Sequence, residues 1–205
     1  MAERGKFITF EGGEGSGKST QVALLAEHLR AQGRSVVETR EPGGCPGAEE
    51  IRALLVSGDP GRWEPLSEAL LHYAARRQHL SEVVWPALED GSWVISDRFA
   101  DSTLAYQGYG QGLAHREIET LYRLVVGARG PDLTLILDLP VEQGLARAEA
   151  VQRYERMDRA FHERLRQGFL EIAQGAPERC RVIDATGDVA QVRDAVRAAV
   201  EARWP

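Results

Sequence analysis

The sequence predicts an α/β fold in which a five-stranded parallel sheet is flanked by helices. Three observations carry that expectation. Short apolar runs recur along the chain, each stopping at a polar or glycine-rich turn. Segments with apolar residues at helical spacing lie between them. The first apolar run passes through a glycine-rich turn straight into a helical pattern, as in the βα units of a doubly wound sheet.

Taken in order, strands are expected at 6–11, 35–40, 92–97, 133–139 and 181–184. The run Leu133-Thr134-Leu135-Ile136-Leu137 suits a strand covered on both faces, the normal state of a parallel sheet. Val22, Leu25 and Leu29 recur at helical spacing, and Gly33 stops that helix. Phe161, Leu165, Phe169 and Ile172 mark a later helix. Val189, Val192, Val196 and Val200 mark the last one, with Asp188 as its N-cap.

The chain of 205 residues fits a single domain spanning 1–205 with a small inserted flap. Its net charge of −6 argues against a nucleic-acid or anionic-membrane partner. Two cysteines, Cys45 and Cys180, are too few for a disulfide scaffold or a zinc site. No apolar stretch reaches the roughly 18 residues of a membrane span, and the first residues do not read as a secretory signal. The expectation is a soluble, cytoplasmic protein. Lysine occurs only at Lys6 and Lys18, and asparagine is absent. A heat-adapted source and a GC-rich genome explain this bias equally well.

Gly12-Gly13-Glu14-Gly15-Ser16-Gly17-Lys18-Ser19, followed by Thr20, fits G-x-x-x-x-G-K-[ST] in full, between a strand and an amphipathic helix. Glycines let backbone N–H groups turn inward around an anion, and the helix start adds its positive dipole end. Lys18 is expected at the β- and γ-phosphates of ATP, and Ser19 at Mg²⁺. A guanine-reading Asn-Lys-x-Asp motif needs asparagine, so GTPases are set aside. A small P-loop kinase is the leading reading, with a transport ATPase subunit or nucleotide sensor behind it.

Two further segments lie at predicted carboxyl ends of strands, where open α/β sheets bind ligands. Arg40-Glu41-Pro42-Gly43-Gly44 follows the second strand and Asp97-Arg98-Phe99 ends the third. An acceptor that is itself a phosphate ester needs arginines of this kind. A third segment, from Arg147 to Arg166, carries six arginines. It reads either as a salt-bridged helix face or as a lid, at about 141–160, that closes on phosphates.

Together these segments resemble the bacterial thymidylate kinases. The resemblance rests on Phe10-Glu11-Gly12 through Thr20-Gln21, on Thr39-Arg40-Glu41-Pro42-Gly43-Gly44, and on Asp97-Arg98-Phe99-Ala100-Asp101-Ser102-Thr103-Leu104-Ala105-Tyr106-Gln107-Gly108. It implies ATP-dependent phosphorylation of dTMP to dTDP by a Mg²⁺-assisted homodimer. It further implies that Arg98 binds the acceptor phosphate and that Arg40 and Arg52 lie near it. Glu41 would sit by the sugar 3′-hydroxyl, and Asp97 would help hold Mg²⁺. Arg76 would bind a thymine carbonyl, and Thr103 and Gln107 would contact the base. Tyr106 would lie under the deoxyribose and crowd the place of a 2′-hydroxyl. Arg147 and Arg153 match lid arginines that act in transfer, with Arg156 a third candidate. Asp184-Ala185-Thr186-Gly187 resembles the loop along adenine. Leu121, Leu124 and Val125 are expected to supply an apolar dimer face.

Bland readings stand beside these: Arg76 as a solvated helix residue, Tyr106 as core, and Asp97 as a cap or ion-pair partner of Arg98. The sequence also departs from the family. His72 stands where a phenylalanine stacks on thymine, with Tyr73 about 100° further round the helix. Cys45 replaces a threonine and is expected to pack. A different acceptor, such as dUMP or UMP, or a nucleotide sensor without acceptor chemistry, are the competing readings.

Overall fold

The computed structural model describes residues 4–147 and 153–205. Elements follow in the order β1 (Phe7–Glu11), α1 (Lys18–Ala31), β2 (Val36–Arg40), α2 (Pro46–Val56), α3 (Pro65–His79), α4 (Trp85–Glu89), β3 (Trp93–Asp97), α5 (Ala100–Thr103), α6 (His115–Val125), β4 (Leu133–Asp138), α7 (Val141–Arg147), α8 (Arg159–Gly175), β5 (Cys180–Asp184) and α9 (Val189–Arg203). Wider π-type turns continue α3 over Leu80–Val84 and α5 over Leu104–Gly110. The sheet is wholly parallel, in the order β2-β3-β1-β4-β5. The five expected strands are therefore present, each within a residue or so of the expected bounds.

Side chains alternate across the sheet. Ile8, Phe10, Ile95, Leu133, Leu135 and Leu137 face α1 and α9 in one core. Phe7 and Val94 face the other side, toward Tyr73, Leu80 and Phe99. Ile136 packs there against Phe161, Leu165 and Phe169 of α8. Asp188 caps α9 as expected, in a capping box with Gln191. Glu64 does the same for α3, accepting from the Leu66 and Ser67 N–H groups at 3.1 Å, with Pro65 opening the helix. That cap sets the phase of α3, and hence the face carrying Glu68, His72 and Arg76.

The chain leaves β1 beside the point where strand order reverses, so the loop Gly12–Gly17 lies above the carboxyl edge. At Gly12 and Gly15 its backbone leaves no room for a side chain. A Cβ on Gly15 would lie 2.0 Å from the Gly144 carbonyl oxygen, and one on Gly144 would lie 2.4 Å from that of Glu14. Glycine against glycine thus seats α7, the first part of the expected lid, directly on the loop.

The arginine-rich segment divides its roles. Arg159 pairs with Glu142 and Glu163, and Arg166 with Asp138, which is the salt-bridged surface reading. Arg164 donates to the Gly110 carbonyl at 2.9 Å. Residues 148–152 of the expected lid lie outside the described residues. Leu121 and Val125 pack against the core beside Phe99, whereas Leu124 stands 79% exposed. Of the apolar face expected of α6, Leu124 is thus exposed while Leu121 and Val125 are partly buried.

Candidate active site

Lys18 opens α1 and folds back over the glycine loop. Its Nζ donates to the carbonyls of Gly13 at 2.7 Å and Gly12 at 3.2 Å, and to Ser16 Oγ at 3.2 Å. Burial and the nearby Arg98 bring its ammonium down to about 8. Gly17 adopts a left-handed conformation at φ 86°, which turns the loop into the helix. Ser19 Oγ donates to Asp97 Oδ2 at 2.5 Å, so a hydroxyl and a carboxylate meet at the loop's edge. Thr20 follows on the exposed side of the first turn.

Arg98 joins this loop to the neighbouring cleft. It is the one non-glycine residue with positive φ, 70°, among the described residues. Its backbone N–H donates to the Phe10 carbonyl at 2.8 Å. Its guanidinium reaches the Gly12 carbonyl at 3.0 Å, Ser102 Oγ at 3.2 Å and both Glu14 oxygens at 3.1 Å. The turn that aims Arg98 is gripped by buried Glu11 of β1. One Glu11 oxygen accepts from the Phe99 and Ser102 N–H groups, at 2.8 and 3.2 Å, and the other from the Ser102 hydroxyl at 2.5 Å. Burial, and then Asp101, push the Glu11 carboxyl up to about 7. Burial also works against Glu14, but Arg98, Lys18 and the donated Tyr106 hydroxyl outweigh it and hold that carboxyl below its usual range.

Beyond Arg98 lies a cleft of about 560 Å³, lined among others by Glu41, Arg52, His72, Arg76, Tyr106 and Gln107. Arg76 is 2% exposed. Its Nε donates to Glu41 Oε2 at 2.7 Å, and its Nη2 to the Phe99 carbonyl at 3.0 Å and Thr103 Oγ1 at 3.2 Å. Its Nη1 is buried without a partner. Glu41 is held from its other oxygen by His79 Nδ1 at 2.9 Å, and His79 Nε2 bonds Thr39 Oγ1 at 2.7 Å. Arg52 donates to the Pro42 carbonyl at 2.7 Å. Gln107 is fully buried, and its Oε1 is likewise unpartnered.

Tyr106 packs edge-on against Tyr154, Phe161 and Phe169, with centroids 5.2, 6.0 and 6.5 Å away. It is both core and cleft wall, so the two sequence readings coexist. Tyr73 points away into the core, as its helical offset requires. His72 faces the cleft, where its Nε2 bonds the Tyr154 hydroxyl at 3.0 Å. Burial and the surrounding arginines, Arg76 first, bring His72 down to about 3. Cys45 packs with Ala48 and Ala75, the small buried residue expected of it.

Two expected positions differ. Arg40 does not line the acceptor cleft; it pairs with Glu49 at 3.0 Å and borders a shallow groove with Ser19 and Asp97. Its strand places it on the far side of Asp97, and Glu49 at the start of α2 offers a nearer charge. Arg153, expected to reach the phosphates, is 1% exposed elsewhere. It donates to the carbonyls of Asp59, Leu55 and Pro60, at 3.0, 3.3 and 2.7 Å, and pairs with Glu68 Oε2. Backbone carbonyls at the end of α2 and just after it hold the guanidinium fork there. Arg156 also turns toward that loop, donating to the Gly58 carbonyl. Arg147 alone of these three stays near the nucleotide end, donating to the Ala185 carbonyl at 3.2 Å.

Glu68 and Tyr154 went unnoticed in the sequence. A signal for Glu68 was present, since Glu68, His72 and Arg76 are spaced four apart and share a helix face. Nothing local marks Tyr154.

A glycine loop of the phosphate-binding pattern after the first strand, joined to an arginine-lined cleft through Arg98, defines the class as a P-loop phosphotransferase. The sequence model described as thymidylate kinase matches residues 10–196. A thymidylate kinase of Caulobacter vibrioides is 56% identical over 200 residues, covering 96% of this chain and 94% of the relative. One from Dinoroseobacter shibae is 52% identical over 196 residues, covering 94% of each. The crystal structure of thymidylate kinase from Ehrlichia chaffeensis superposes with a TM-score of 0.81 at 38% identity, covering 96% of this chain and 99% of that one. The chain belongs to the thymidylate kinase family.

Proposed function

We propose that the chain transfers the γ-phosphoryl group of ATP to the phosphate of dTMP, giving dTDP and ADP, as a cytoplasmic homodimer. In the step, a phosphate oxygen of dTMP forms the new bond to the γ-phosphorus. The bond from that phosphorus to the β-bridging oxygen breaks, and its electrons leave with ADP. The observation that carries the choice of acceptor is the pair of unpartnered buried atoms in one cleft, Arg76 Nη1 and Gln107 Oε1. A thymine ring offers a carbonyl to the first and its N3–H to the second. Cytosine offers an amino group and a bare ring nitrogen, the reverse pattern.

Lys18 and the glycine-loop N–H groups hold the β- and γ-phosphates. Arg98, touching both the loop and the cleft, neutralises charge between donor and acceptor. Arg52 adds charge at the acceptor phosphate, and Glu41 faces the sugar. Arg147, which donates to the Ala185 carbonyl, is the lid arginine assigned to the transferring group. Tyr106, wedged by three aromatic rings, is too rigid to yield to a 2′-hydroxyl. Ser19 Oγ and the Asp97 carboxylate are hard oxygen donors that suit Mg²⁺, which keeps most of its shell for water and phosphate. Mg²⁺ held there would supply positive charge that offsets the charge developing on the phosphates. Leu124, exposed on α6, supports the dimer.

The test is ADP production from Mg-ATP with dTMP, dUMP, UMP, dCMP and AMP offered separately. Fast turnover on dTMP, slower on dUMP and almost none on UMP or dCMP is expected. Preferred turnover on UMP or AMP would assign another acceptor, with His72 the first residue to examine. ATP binding without turnover on any acceptor would leave a nucleotide sensor.

A further inference from the structure

We infer that Glu68 is a positioning residue that fixes which way the Gln107 carboxamide faces, and through it which pyrimidine edge the cleft accepts. The inference rests on the reading of the cleft as a thymine site and deepens it. Glu68 lies on α3, fully buried, behind Gln107 as seen from the cleft, and does not itself line it. Its Oε1 accepts from Gln107 Nε2 at 2.7 Å, Gln111 Nε2 at 3.0 Å and the Tyr154 hydroxyl at 2.9 Å. Its Oε2 pairs with buried Arg153.

A carboxylate in an ion pair can only accept. An amide placed against it must therefore present its NH₂ group, because turning it round would set oxygen against oxygen. With the NH₂ group turned to Glu68, the side-chain atom that Gln107 leaves without a partner is Oε1. Gln107 thus offers an acceptor. A uracil-type ring, protonated at N3, satisfies it. Cytosine, with a lone pair at N3, leaves two acceptors facing each other in a buried site, which is costly. The amide alone could read either ring; the charge behind it makes the choice. Arg153 belongs to the same device, since its guanidinium partners the Glu68 oxygen that Gln107 does not use.

The test compares dTMP and dCMP binding by calorimetry, without ATP, in the wild type, Glu68→Gln and Glu68→Asp. A glutamine at 68 can donate as well as accept, so Gln107 becomes free to turn. The dTMP-to-dCMP affinity ratio should fall by about tenfold or more in Glu68→Gln, the scale of one reversed hydrogen bond, and recover in Glu68→Asp, which keeps the acceptor-only charge. If both affinities fall together and the ratio holds in Glu68→Gln, Glu68 is a packing residue and the inference is overturned. If the wild type itself shows no preference for dTMP over dCMP, the thymine reading fails instead.

A second measurement needs no variant. In the wild type, the Gln107 side-chain amide protons should show slowed exchange by NMR, both free and with dTMP bound. Rapid exchange, or loss of protection on adding dTMP, would show that the amide is not held and would overturn the inference. It would do so even if Glu68→Gln failed to fold.

Discussion

Replacing Arg98 by methionine removes a guanidinium while keeping a long side chain at the same left-handed backbone position. The φ of 70° stays a burden for both residues, so the comparison isolates the charge. The Arg98 side chain is 17% exposed, which limits solvent screening. A unit charge about 4 Å from a phosphate, at the effective dielectric constant of roughly 20 typical of such sites, is worth ~4 kcal/mol. Much of this is realised only as charge builds between donor and acceptor, so turnover should fall about 10³-fold. ATP affinity should change far less, because Lys18 and the loop backbone supply that seat independently. The assay is steady-state ADP release at saturating dTMP, paired with calorimetric titration of Mg-ATP. Turnover within tenfold of wild type, or a loss of ATP affinity large enough to explain the whole decline, would refute the role assigned to Arg98.

Arg153→Met leaves the Glu68 carboxylate buried without its cation and should destabilise the fold by about 3–5 kcal/mol, read as a lower midpoint in urea; an unchanged midpoint with a thousandfold lower kcat would restore it to the transferring group. Glu11, raised to about 7, holds a proton in the folded state that the unfolded chain releases near 4.5. Its contribution is therefore complete below pH 4.5 and lost as pH rises through 7. Glu11→Gln should flatten that part of the Tm–pH curve, and an unaltered slope would locate the titration elsewhere. His72 behaves in the opposite sense. With the folded ring down at about 3, the unfolded chain takes up a proton below pH 6.5 that the native state refuses, so stability declines as pH falls from 6.5 toward 3. The slope is at most about 1.4 kcal/mol per pH unit, and His72→Phe should remove it in urea melts between pH 4 and 7.

The central strands were legible because a parallel strand covered on both faces reads as a mostly apolar run, as Leu133–Leu137 does. The glycine loop was legible because its chemistry is local: consecutive backbone N–H groups, one lysine, one hydroxyl. The partners of Arg153 were not legible because they are not local. The carbonyls of Leu55, Asp59 and Pro60 lie more than 90 positions away, and nothing near Arg153 in the chain signals them. The partner of Arg40 was hidden for a related reason. Strand alternation fixes the side of the sheet a residue faces, but not which of two grooves a long side chain enters, and Glu49 decided that. Glu68 carried a readable spacing with His72 and Arg76, yet its meaning depends on Gln107 and Arg153, which the fold alone brings to it.

Three arginine–carboxylate pairs surround the acceptor side: Arg76 with Glu41, Arg98 with Glu14 and Arg153 with Glu68. Buried pairs of this kind are weak evidence for stability, since well-packed apolar residues often serve as well. Their geometry suggests another use. A guanidinium has five N–H donors in a rigid fork, so one edge can be anchored while another stays available. Arg76 does this: Nε and Nη2 are anchored on Glu41, Phe99 and Thr103, and Nη1 is left over. A lysine in its place would keep the charge and lose the fixed direction. Each pair also joins segments distant in sequence, β2's end to α3, the glycine loop to β3's end, and α3 to the segment before α8. A net-negative chain can thus gather cations around one cleft without mutual repulsion spreading them, because every carboxylate that steadies an arginine also neutralises part of its charge until a phosphate arrives to share it.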